Sequence, residues 1–175
     1  MMTNIELKHK LSKIKAVLMD VDGVMTDGSL TFFEDGCEIK TYNAKDGQGI
    51  VMLNKAGILT GIITARDNGT VRHRFKNLGM TKLYQGEKNK EKALDEFVKE
   101  FNVDYSEIAY MGDDLPDICV LKKVGLACCP KDAVADIVEI SEFVSQYNGG
   151  RGAVRELCDL VLKSQNKYGL NVTAV

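Results

Sequence analysis

The stretch Lys15-Ala-Val-Leu-Met-Asp20-Val-Asp22-Gly23-Val-Met-Thr-Asp27-Gly28 decides the fold. Four apolar residues, Ala16 to Met19, run unbroken into Asp20, the pattern of a buried parallel strand that ends where the carboxylates begin. Asp20 and Asp22 share strand parity, so both side chains can face one crevice while the chain stays extended. Gly23 can take a backbone conformation closed to other residues and release the chain into a loop. Two carboxylates this close repel, and they stay ionised together only around a cation or a shared proton. An all-oxygen ligand set favours Mg²⁺, which keeps places for water and phosphate oxygens. Alone, Asp-x-Asp-Gly also suits a polar turn, so the later strand ends have to decide.

Length and composition narrow the classes. A chain of 175 residues suits one domain with a sizeable core. With 45% hydrophobic and 27% charged residues the composition is soluble and globular. A net charge of −2 without a basic stripe argues against nucleic acid. Segment 5–15 lacks the apolar core of a signal peptide, and no apolar run could span a bilayer. The expectation is a cytoplasmic protein with no membrane partner. Cys37, Cys119, Cys128, Cys129 and Cys158 are odd in number and lack zinc-like spacing, so they read as reduced thiols without a catalytic role. His9 and His73 stand alone and are expected to be exposed.

Residues 29–34 and 37–42 flank Asp35-Gly36, a hairpin signal, and define a flap over about 28–43. The flap could cover the crevice, meet other subunits through Phe32, Phe33 and Tyr42, or be purely structural. Asn43 to Gly49 reads as a polar helix entry with Asp46 as its cap, before a helix near 49–56. The dinucleotide pattern G-x-G-x-x-G is absent there. Lys45 in this entry could meet an anionic substrate.

A second apolar strand, 58–63, runs into Thr64-Ala65-Arg66-Asp67 and a helix near 69–78. The Thr64 hydroxyl and nearby backbone N–H groups suit a phosphate oxygen, and Arg66 adds a planar fork. A short strand at 82–84 leads to a helix through about 101. Lys90 on its first turn opposes the helix dipole, a cost that an anionic site would offset. Strand 108–111 ends in Gly112-Asp113-Asp114-Leu-Pro-Asp117, followed by a helix to about 123. A strand at 124–129, a helix at 132–138, a short strand at 142–144 and a helix at 152–163 complete the alternation. Gly149 to Gly152 form a basic turn around Arg151, and the tail, about 164–175, frays or docks elsewhere.

This alternation predicts an α/β architecture: a Rossmann-like open parallel sheet with helices on both faces and a hairpin flap. It gathers Asp20, Asp22, Thr64, Lys90 and Asp113 on one rim. In this order, Asp20-Val-Asp22-Gly23-Val, Thr64, Lys90 and Gly112-Asp113-Asp114-x-x-Asp117 resemble the haloacid dehalogenase superfamily of aspartate-nucleophile phosphatases. The resemblance implies that Asp20 forms a phosphoaspartate and that Asp22 protonates the leaving alcohol, then activates water. It implies that Thr64 and Lys90 hold the phosphate. Mg²⁺ would sit on Asp20, the backbone carbonyl of Asp22, and Asp113, with Asp114 and Asp117 behind them or as alternate ligands. A carboxylate nucleophile splits ester hydrolysis into two displacements, and the metal and Lys90 screen its charge from the phosphate.

Only a hairpin and one helix fit between Gly28 and Thr64, so the whole chain, 1–175, resembles a capless, single-domain member. Lys45-Asp46-Gly47-Gln-Gly49-Ile50, Ala65-Arg66-Asp67 and Gly149-Gly150-Arg151-Gly152-Ala-Val-Arg155-Glu156 carry that likeness to members acting on sugar-acid phosphates. It implies substrate contacts from Lys45, Arg66 and Arg151, and a homotetramer with hairpins at its centre and a neighbour helping to close each site. Members acting on an eight-carbon sugar acid, in lipopolysaccharide precursor synthesis, carry Arg where Lys45 stands. Lys lacks the bidentate fork, which leaves nine-carbon sugar acids open as substrates, whereas Arg66 favours the eight-carbon one. Two rivals differ in class. A phospho-acceptor signalling domain places its paired acids on the first strand, and a long-lived phosphoaspartate has no use for Asp22. A non-catalytic assembly module has no need of the complete motif set.

Overall fold

The computed structural model describes residues 3–169. In chain order its elements are α1 (Asn4–Lys13), β1 (Ala16–Met19), β2 (Thr31–Phe32), β3 (Glu38–Ile39), α2 (Ala44–Lys55), β4 (Leu59–Thr64) and α3 (Gly69–Asn77). There follow β5 (Lys82–Gln85), α4 (Lys90–Phe101), β6 (Ile108–Met111), α5 (Ile118–Leu121), β7 (Leu126–Cys129), α6 (Ala135–Ile140), β8 (Phe143–Val144) and α7 (Ala153–Ser164). A six-stranded sheet in the order β5-β4-β1-β6-β7-β8 is parallel throughout.

Buried on both faces, β1 has no solvent side, which is why its sequence is a continuous apolar run. Its residues still alternate between two cores. Val17 and Met19 pack with Ile62, Met111 and the buried faces of α2 and α7. Ala16 and Leu18 join Ile63, Tyr110, and Leu94 and Phe97 of α4 on the other face. Helices therefore cover both faces of the sheet, as the alternation predicts. Because β4 flanks β1 on one side and β6 on the other, the strand order diverges at the carboxyl end of β1. That is the point where an open sheet leaves a crevice for a ligand.

Several local expectations need correction. Helix α2 starts at Ala44, five residues before the expected 49, and its cap is Asn43, whose side chain accepts from the Lys45 N–H at 2.8 Å. Asp46 is instead buried in the first turn, where it accepts the Arg155 backbone N–H of α7 at 2.9 Å. Gly47 and Gly49 are inside this helix, where Arg74 at the first and Arg155 and Cys158 at the second would have to shift to admit a Cβ. The helix expected after Asp113 is split into a 3₁₀ turn at Leu115–Asp117 and the four-residue α5. Helix α6 begins at Ala135 rather than 132, because Val134 is still extended.

Segment 5–15 mostly forms α1, entered through a capping box of Thr3 and Glu6. Of the expected tail, residues 170–175 lie outside the described residues. Its first residue after α7, Gln165, donates to the carbonyls of Leu11 (3.2 Å) and Ile14 (2.7 Å). The hairpin forms with only two residues per strand, pairing Thr31 with Ile39 and Phe32 with Glu38. No other insertion separates β1 from α2 among the described residues.

Candidate active site

A crevice of about 260 Å³ opens where β1, β4 and β6 end, lined by Asp20, Asp22, Thr64, Arg66, Lys90 and Asp113, with Gly23, Asp114 and Asp117 among its neighbours. Its floor is a chain of buried polar groups. Lys90, 3% exposed, places Nζ 3.1 Å from Asp20 Oδ2 and 2.7 Å from Asp117 Oδ1. Burial pushes the Lys90 pKa down, but the charges of Asp20 and Asp117 outweigh it and hold the amine protonated. The fully buried Tyr110 hydroxyl donates to the same Asp117 oxygen at 2.6 Å. Asp117 Oδ2 accepts the backbone N–H of Asp113 at 3.1 Å. Gly112 makes this possible, since a Cβ there would strike the Asp117 side chain.

Two carboxylates in this floor are short of partners. Asp20 Oδ1 and Asp113 Oδ1 are buried with no hydrogen bond. Burial raises the Asp20 pKa to about 6, against the lowering effect of Lys90. Burial, then the Asp20 and Asp117 charges, push Asp113 up to about 7. Asp20, Asp113 and Asp117 each offer an oxygen within 4.8 Å of the others. Both Asp117 oxygens are already engaged, so Asp20 and Asp113 hold the free ones. Oxygen donors that resist ionisation together and lack hydrogen bonds suit a hard divalent cation such as Mg²⁺. Gly23, at φ +83°, turns the chain over them, and a Cβ there would fall on the Asp113 carboxylate.

Above the floor the groups are more open. Thr64, at the buried end of β4, shares its hydroxyl with the Arg66 backbone N–H at 3.4 Å. Arg66 lies at the rim, with Nε 3.9 Å from Asp22 Oδ2 and Nη2 3.4 Å from Glu38 Oε2. The Asp22 carboxylate accepts from Lys40 Nζ.

The structure therefore brings together Asp20, Asp22, Thr64, Arg66, Lys90 and Asp113. It does not bring Lys45 and Arg151 to them. These two line a separate recess of about 400 Å³ with Tyr147, Arg155 and Lys163. Lys45 projects outward because the next residue, Asp46, takes the buried face of α2. Arg151 is drawn to Asp27 at 2.9 Å. Three contributors escape sequence reasoning: Tyr110, Glu38 and Lys40. Tyr110 sits inside an apolar strand, where it reads as core. Glu38 and Lys40 share parity in the hairpin, but a charged face there reads as solvated. All five cysteines are unpaired thiols, three of them buried, and none lines the crevice. His9 and His73 are exposed.

Residues 80–157 match the family model of the haloacid dehalogenase-like hydrolases. The 3-deoxy-D-manno-octulosonate 8-phosphate phosphatase KdsC of Escherichia coli (strain B / BL21-DE3) is 40% identical over 162 residues, 93% of this chain and 86% of the relative. The chain belongs to the haloacid dehalogenase-like hydrolases. Two solved members of this family extend the likeness to the whole fold. The phosphatase of the same description from Moraxella catarrhalis, in complex with a magnesium ion, a phosphate ion and a KDO molecule, superposes with a TM-score of 0.92 at 36% identity, covering 95% of both chains. The one from Yersinia pestis gives 0.91 at 38% identity, covering 92% of this chain and 87% of that one.

Proposed function

We propose that this hydrolase converts 3-deoxy-D-manno-octulosonate 8-phosphate to the free sugar acid and phosphate, using Mg²⁺ and a phosphoaspartate on Asp20. The observation that carries the reading is the Asp20 carboxylate, held 3.1 Å from the buried Lys90 with its other oxygen unpartnered at the crevice floor. The similarity to phosphatases of that substrate supports the choice of ester.

Asp20 attacks phosphorus, and the bond from phosphorus to the sugar oxygen breaks. Asp22 delivers a proton to that oxygen as it leaves. Asp22 then takes a proton from the water that attacks the phosphoaspartate, which frees phosphate and restores Asp20. Thr64 and Lys90 hold the phosphoryl oxygens, and the Arg66 fork at the rim suits the sugar-acid carboxylate. Asp20 and Asp113, with the backbone carbonyl of Asp22, would hold Mg²⁺, which when bound would neutralise charge between the carboxylates and the phosphate. Asp20 must be ionised to attack; burial lifts its pKa to about 6, and the Lys90 charge opposes that rise. Lys45 and Arg151 are assigned no contact within the same chain.

The reading extends to one phosphatase domain over 1–175, a place in lipopolysaccharide precursor synthesis in the cytoplasm, and a homotetramer. Leu30, Phe32 (53% exposed) and Phe33 (59%) on the hairpin offer apolar surface for such an assembly. No helix among the described residues is long and apolar enough to cross a membrane.

Phosphate release with Mg²⁺ from the eight-carbon and nine-carbon sugar-acid esters, side by side, tests the proposal. Preference for the eight-carbon ester, abolished in Asp20→Asn, is the expected result. Preference for the nine-carbon ester would keep the mechanism and replace the substrate. No release by Mg²⁺-loaded wild-type protein would sink the enzymatic reading in favour of an assembly module.

A further inference from the structure

Lys40 follows β3 on the hairpin, yet its side chain is only 1% exposed. An ammonium is costly to bury unless carboxylates surround it. Here two do: Asp22, and Glu38 Oε1 at 2.8 Å. Burial lowers the Lys40 pKa, and its bonds to Asp22 and Glu38 more than compensate, so the amine stays charged. Glu38 Oε2 in turn accepts from Asn68 Nδ2 at 3.0 Å. Asn68 caps α3, accepting the Thr70 N–H at 2.8 Å. The hairpin, the loop after β1 and the loop after β4 thus meet in one charged network.

Asp22 lines the crevice, whereas Lys40 is not among the lining residues. Among the described residues, the one other ion-pair partner of the Asp22 carboxylate is Arg66, which is 41% exposed. Without Lys40, rotation about the two side-chain bonds of Asp22 would be limited mainly by that looser contact. Proton transfer needs the carboxyl within hydrogen-bond reach of the leaving oxygen, and small misplacements are expensive in rate.

We propose that Lys40 is a positioning residue: its ammonium, braced by Glu38, fixes Asp22 at the angle that proton transfer requires, making the hairpin part of the catalytic unit. This rests on Asp22 acting as the acid and base of the proposed phosphatase.

The test compares wild type, Lys40→Met, Lys40→Arg and Glu38→Gln with Mg²⁺ on the eight-carbon ester and on p-nitrophenyl phosphate, whose leaving group needs no proton. In Lys40→Met, kcat on the sugar-acid ester should fall about 100-fold while KM stays within about twofold. With p-nitrophenyl phosphate the first step is spared and the second, which needs Asp22 as base, is not. A burst of nitrophenolate matching the enzyme concentration should then precede slow turnover, as in an Asp22→Asn control. Lys40→Arg should recover part of kcat, and Glu38→Gln should lose about tenfold in kcat. Higher KM with intact kcat would show that Lys40 binds substrate, and would overturn the proposal. So would equal losses on both esters without a burst, which mark a merely structural role. If Lys40→Met does not fold, an unchanged kcat in Glu38→Gln overturns it. Wild-type protein inactive on both esters would remove the phosphatase reading itself, and the role of Lys40 with it.

Discussion

The site contains two ammonium groups, each held between two carboxylates, and they are built differently. Lys90 joins Asp20 to Asp117 on the floor, where Asp117 is 1% exposed and pinned by Tyr110 and the backbone beside Gly112. Lys40 joins Asp22 to Glu38 on a hairpin of two residues per strand that exposes Phe32, Phe33 and Ile39. The floor is supported by the sheet core, whereas the upper pair depends on a flap with little core of its own. On the proposed mechanism, the nucleophile Asp20 is thus fixed by the fold, and the acid and base Asp22 by an appendage. An appendage can vary without disturbing Asp20.

The largest consequence of that asymmetry is in stability. Lys90→Met leaves Asp20 and Asp117 buried without their cation and should cost about 3–5 kcal/mol, read from the denaturant midpoint. Lys40→Met should cost clearly less, because Asp22 is partly exposed. A greater loss for Lys40→Met would break the comparison. Tyr110→Phe removes one of two donors to Asp117 Oδ1, and about 1–2 kcal/mol should follow.

The floor should also respond to pH. The folded pKa values of Asp20 and Asp113, about 6 and about 7, lie above the ordinary carboxylate range. Their contribution to metal-free stability is therefore fully present below that range and lost as pH rises through about 6 to 7. A cation that binds the ionised pair opposes this loss, so Mg²⁺ should raise the melting temperature more at pH 8 than at pH 5. An equal rise at both pH values would argue against these two carboxylates as ligands. The smallest effect on the chemistry is expected from Phe32→Ser with Phe33→Ser. Sedimentation should show dissociation of the proposed homotetramer while the metal-dependent rise in melting temperature persists.

Much of the floor was legible in the chain. Apolar runs ending in Asp20, Thr64 and Asp113 mark strand termini, because a strand buried on both faces must be apolar until it leaves the sheet. Lys90 was legible through its poor fit to a helix start. The upper network was not, since parity within a short hairpin says which side chains share a face but not whether that face meets solvent. The Asp46 cap failed for a related reason: an acid in a first turn suits a cap, and only the approach of α7 shows it serving another helix instead.

By itself the sequence determined the strand–helix alternation, the parallel sheet and the rim where its acids collect, because burial pattern and spacing are local properties of the chain. Tertiary structure alone decided that Lys40 turns inward to Asp22, that Tyr110 anchors Asp117, and that Lys45 and Arg151 face a different recess. Those outcomes depend on which distant charges and backbones come within a few ångströms, and a partner's distance in space is not written in its distance along the chain.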